Sequence, residues 1–221
     1  MAGFARRVAD EGYSVALPLL FGVPGKPLSG GYIASTLLRA CVSREFHVLA
    51  SHRSSPITDW LRALARDLHQ EVGGAGVGAI GMCLTGNFAL ALMMEPCLLA
   101  PVLSQPSLPF GITADRRAAV HVSPEELANA KRRSAEGVTV LGLRFTGDPM
   151  CRAERFETLR RELGDGFEGI EIDSSPGNPH GLGGMAHSVV TTDLVDEVGH
   201  PTRAALDRVL SLFDETLRSG A

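Results

Sequence analysis

The chain has 221 residues, 44% of them apolar and 21% charged, with a formal net charge of −4. That suits one α/β domain with a real core and argues against nucleic acid as a partner. No apolar run is long enough to span a membrane, and the spacing of Cys41, Cys83, Cys97 and Cys151 fits neither a zinc site nor a disulfide framework, so the expectation is a cytoplasmic protein without metal or cofactor.

Residues 2–11 read as a helix that Gly12 ends, followed by a buried strand over Tyr13–Leu17 and a Gly/Pro loop from Pro18 to Gly31. A helix is expected over 32–43. A second, amphipathic helix is expected from Pro56 to Glu71, with Trp60, Leu61, Leu64 and Leu68 inward. An apolar strand at 77–81 runs into a sharp turn and a helical stretch. Leu98–Leu103 is a short strand, and a Pro-rich loop spans Gln105–Thr113. Ser123-Pro-Glu-Glu126 has the pattern of a capped helix start. Then come a strand over Val138–Phe145, a helix over 152–163 with Phe156, Leu159 and Leu163 inward, and a strand over Phe167–Ile172. A glycine-rich loop over 173–186 and a final helix carrying Leu206, Val209, Leu210, Phe213 and Leu217 complete the order. Strands alternating with helices predict an α/β fold, a mostly parallel sheet covered on both faces.

The chemistry concentrates at Gly81-Met82-Cys83-Leu84-Thr85-Gly86. A strand that turns at one residue and enters a helix presents that residue as a nucleophile, and small neighbours are needed because the turn is tight. The start of a helix favours an anion, hence a thiolate, and the Leu84 N–H would face the oxygen of an attacked carbonyl. The bland alternative is a buried, inert cysteine. Gly76-Val77-Gly78-Ala79-Ile80-Gly81 also matches a dinucleotide-binding pattern, but its middle reads as the strand itself, where the pattern needs a strand before it. The loop at Gly22–Lys26 has glycines too close together for a phosphate loop, and Pro27 stands where a hydroxyl is required.

A nucleophile of this kind needs a base and an orienting acid, in the chain order nucleophile, acid, histidine. Asp148 follows the strand at 138–145, although a turn aspartate beside Gly147 and Pro149 is also ordinary. Two histidines come later. His187, close before the final helix, is preferred to His180 in its Asn-Pro-His-Gly loop. His200 before Pro201 reads as helix-start chemistry, and His47, His52, His69 and His121 lie on other segments.

These residues, with Phe145-Thr146-Gly147-Asp148, Ala186-His187-Ser188-Val189-Val190-Thr191 and the stretch from Glu11 to Gly22, resemble dienelactone hydrolase-like proteins of the α/β-hydrolase superfamily. The resemblance covers nearly the whole chain. It implies an α/β-hydrolase-like fold over residues 1–221, a Cys83–Asp148–His187 triad and hydrolysis of a small-molecule ester or lactone. It also implies strands upstream of the first helix and a second oxyanion donor among them. The expectation is therefore a native start further upstream, the rival being a genuine short form with weak or no catalysis. A non-catalytic module with a redox-sensitive thiol is the alternative function, and a nucleotide-binding oxidoreductase a third. Arg53, Arg144 and Arg155 could hold a substrate carboxylate, but each reads first as a surface charge or an ordinary ion pair.

Overall fold

The structure is a computed structural model that describes residues 1–23, 29, 31, 35, 36, 39 and 55–218. Most of the helix expected over 32–43 lies outside these residues, as do Cys41, His47, His52 and Arg53.

Four strands form one parallel sheet in the order β1-β2-β3-β4: β1 (Val77–Met82), β2 (Leu98–Ser104), β3 (Val140–Phe145) and β4 (Phe167–Ile172). Parallel neighbours need crossovers, and helices supply them. In chain order these are α1 (Ala2–Asp10), α2 (Pro56–Val72), α3 (Phe88–Leu92), α4 (Ala114–Ala118), α5 (Pro124–Ala135), α6 (Ala153–Leu163) and α7 (Pro201–Leu217). The register sets Met82 beside Ser104, Ser104 beside Leu143, and Phe145 beside Ile172. The loops that follow β1, β2 and β3 therefore emerge at one edge, the carboxyl ends of the strands, where α/β sheets place their sites.

Each face of the sheet carries its own core. On one, Leu103 and Val140 meet Leu61 of α2, Phe88–Met93, Ala130 of α5 and Phe156, Leu159 and Leu163 of α6. On the other, Val102, Leu141, Leu143 and Phe145 meet Phe4 and Val8 of α1 and Leu206, Val209 and Phe213 of α7. Burial on both faces explains why β3 shows no polar alternation and, Arg144 apart, is apolar or glycine. The helix starts follow their local chemistry. Ser55 caps α2 ahead of Pro56. Ser123 and Glu126 close a reciprocal capping box on α5, with Ser123 N–H donating to Glu126 at 2.6 Å and Glu126 N–H to Ser123 Oγ at 3.2 Å. His200 caps α7 by accepting the Thr202 N–H.

Three expectations need correction. Tyr13–Leu17 forms no strand, and Val15 and Leu17 are exposed. A strand needs a ladder partner, and the described sheet holds none for it. Tyr13 instead packs edge-on against Phe213 at 6.1 Å and donates its hydroxyl to Asp214 at 2.6 Å. Trp60 is 50% exposed, because α2 turns Thr58, Leu61 and Ala65 inward and Trp60 lies about 100° away from Leu61. The helical run after Cys83 is broken: a 3₁₀ turn over Cys83–Thr85 precedes the five-residue α3. Among the described residues no helix is long and apolar enough to cross a membrane.

Candidate active site

At the end of β1 the backbone turns through Cys83, whose φ of +55° lies in the left-handed region that side chains other than glycine rarely enter. The flanking residues make the turn possible. A Cβ at position 81 would stand 2.1 Å from the Thr85 carbonyl oxygen, and one at position 86 would stand 2.4 Å from Pro106 Cα, so both must be glycine. Thr85, larger than expected here, earns its place by folding back: its hydroxyl donates to Met82 O at 2.9 Å and accepts Met82 N–H at 3.1 Å. The Cys83 carbonyl accepts the N–H groups of Gly86 and Ser107, each at 3.0 Å, which leaves the turn held from two sides. The Leu84 N–H takes no backbone acceptor among the described residues. The dinucleotide pattern at 76–81 lies along β1 itself, with no helix opening from its glycines.

Asp148 follows β3 in a turn closed by its own N–H on Phe145 O at 3.3 Å. Its carboxylate is fully buried. One oxygen accepts the Met150 N–H at 2.8 Å and the other lies 2.7 Å from His187 Nδ1. His187 is held in turn by Asp193, whose carboxylate accepts the N–H groups of His187 at 3.0 Å and Ser188 at 2.8 Å. The other ring nitrogen, Nε2, is buried and has no hydrogen-bond partner among the described residues. Burial alone would push the imidazole pKa down, but the hydrogen bond to Asp148, with further contributions from Cys83 and from the charge of Asp148, outweighs it and pushes it up to about 9. A buried carboxylate thus holds one nitrogen of an imidazole, an arrangement that fixes the ring and supports a proton on it.

The other candidates fall elsewhere. His180 is exposed, its ring edge-on to His200 at 5.2 Å, and it makes no contact with Asp148. His121 is buried, and His69 lies in the last turn of α2. Cys151 is buried in the first core, and desolvation pushes its thiol up to about 12, which keeps it protonated at neutral pH. Cys97 is shifted upward too, by burial first and then by the charge of Glu95. No group of three or more His, Cys, Asp or Glu side chains among the described residues could hold a metal ion.

Arg144 and Arg155 are not surface charges. Both are buried. Arg155 donates to four backbone carbonyls, Ala119, Pro106, Pro109 and Arg116, at 2.8, 2.5, 2.6 and 3.0 Å. It thereby braces the segment that packs on the Cys83 turn. Two further residues near the site carry no signal in the sequence: Asp193, which fixes the histidine backbone, and Gln105, which follows Ser104, the register partner of Met82, and also has a positive φ, +39°. Asp193 in particular looks like any loop aspartate until the chain folds back on His187.

A model of the dienelactone hydrolase family matches residues 1–217. None of the curated proteins matches the chain.

Proposed function

Because the chain belongs to the dienelactone hydrolase family, we propose that it hydrolyses a small-molecule carboxylic ester or lactone through Cys83, Asp148 and His187. Membership makes it a hydrolase of the dienelactone hydrolase type. The observation that carries the finer reading is the buried Asp148–His187 pair at 2.7 Å, with the imidazole pushed up to about 9 by that carboxylate together with Cys83.

In this reading His187 Nε2 takes the proton of the Cys83 thiol, and Asp148 stabilises the resulting imidazolium through Nδ1. The thiolate attacks the ester carbonyl, and the new oxyanion leans on the Leu84 N–H. His187 then gives its proton to the departing alkoxide, leaving a thioester on Cys83. Water attacks the thioester as His187 takes its proton back, and Cys83 leaves with the acid released. Asp148 keeps the imidazole in the tautomer and orientation that both halves require. One α/β-hydrolase-like domain over residues 1–221 and a cytoplasmic location belong to the same reading. Cysteine spacing that fits no disulfide framework supports the location.

The test is a panel of esters and lactones with Cys83→Ala as control. The expected result is turnover by the intact chain and a loss of at least ~10³-fold in kcat with the alanine variant. Cys83→Ser is also badly impaired, because a serine hydroxyl depends far more on a matched base. Rapid alkylation of Cys83 with iodoacetamide but no turnover of any ester would favour a thiol-based redox or binding role instead.

A further inference from the structure

We infer that Arg144 is a positioning residue for the proposed triad: its guanidinium ties both ends of the turn that carries Asp148 and so sets that carboxylate against His187.

Every residue of β3 is buried, and Arg144 is the strand's one charged member. A guanidinium at such a position is costly unless it is fully paired, so its place calls for a reason. Its partners supply one. Nε donates to Glu171 on β4 at 2.7 Å, which balances the charge. The Nη1 group donates to the carbonyls of Phe145 at 3.0 Å and Cys151 at 2.7 Å. Those two residues bracket the turn, with Asp148 between them. The Phe145 carbonyl that Arg144 holds is the one that accepts the Asp148 N–H at 3.3 Å. One rigid fork therefore spans the base of the loop, while Gly147 N–H to Ser174 Oγ at 2.9 Å holds its tip.

The fork is itself immobilised. It lies over the Phe156 ring, 5.6 Å from the centroid, and Arg160 holds Glu171 from the solvent side. Burial would push the Glu171 carboxyl up, but hydrogen bonds from Arg160 and Arg144 override it and keep that carboxyl below its ordinary range. The counter-charge therefore stays ionised. Arginine suits the task as lysine would not, since a single ammonium on a flexible stem cannot hold the carboxylate and two carbonyls in one plane.

The inference rests on the triad reading, and its test is separable from it. Arg144→Gln and Arg144→Lys are compared with the intact protein by steady-state hydrolysis of p-nitrophenyl acetate and by NMR titration of the His187 ring. Arg144→Gln is expected to lower kcat on the order of tenfold to a hundredfold with little change in KM, since a shift of about 1 Å in a catalytic group has that effect. The His187 midpoint is expected to fall from about 9 toward 6.5. Arg144→Lys should lie between the two. A folded glutamine variant with an unchanged His187 midpoint overturns the inference, whatever its kcat. Should the glutamine variant not fold, the lysine variant decides by the same midpoint. Failure of the triad reading shows separately, as ester turnover that survives Cys83→Ala.

Discussion

His187 is the residue on which pH acts. Its imidazole, pushed up to about 9 from an ordinary 6.5, binds a proton more tightly in the folded chain than in the unfolded one. The stability that its partners contribute is therefore whole below about 6.5 and is lost as pH rises through about 9. Urea denaturation of the intact protein and of His187→Gln should show this as a gap that is widest in mild acid and closes in alkali. In the proposed mechanism the same proton is what the leaving alkoxide receives, so kcat should fall as pH passes about 9. Asp148→Asn should bring that alkaline limb to lower pH, because the carboxylate's hydrogen bond and charge both hold the proton on the ring.

At the scale of the element, the turn from β1 into α3 is held by close approach more than by helix length. With α3 only five residues long, the local geometry comes from Gly81, Gly86 and the Thr85 hydroxyl. Gly81→Ala puts a Cβ 2.1 Å from a backbone oxygen, which no side-chain rearrangement can relieve. It should cost about 3 kcal/mol in chemical denaturation and displace Cys83 with it. A cap behaves more mildly. Ser123→Ala removes the acceptor for the Glu126 N–H and should cost about 1 kcal/mol, with α5 otherwise intact.

For the molecule as a whole, stability resides in the two cores on either side of the sheet. Phe145 is fully buried at the end of β3, in the core shared with α7, and Phe145→Ala should cost about 3–5 kcal/mol. The many arginine–carboxylate pairs at the surface are a different matter. Arg132 and Glu136 meet at 2.7 Å at the end of α5 with both side chains more than half exposed, and Arg132→Ala should change stability by less than about 0.5 kcal/mol. The contrast between these two variants in one denaturation series separates core from surface.

Local pattern was enough to determine the parallel α/β order, the strand at 167–172, the capped start of α5 and the glycines around Cys83. Each is written within a few neighbouring residues, as a period, a capping box or a steric need for glycine. What only the folded chain decided depends on partners far away in sequence. Tyr13–Leu17 has the composition of a strand, but strandedness belongs to a pair, and no described strand runs beside it. Trp60 is apolar at helical spacing, yet which side of α2 meets the sheet is settled by packing. Arg144 looks like any surface arginine until β4 brings Glu171 to its Nε and the loop beyond β3 brings Cys151 O to its Nη1. The 2.7 Å between Asp148 and His187, 39 residues apart in the chain, is likewise a product of tertiary folding, because a hydrogen bond needs a position and an angle that spacing along a chain does not specify.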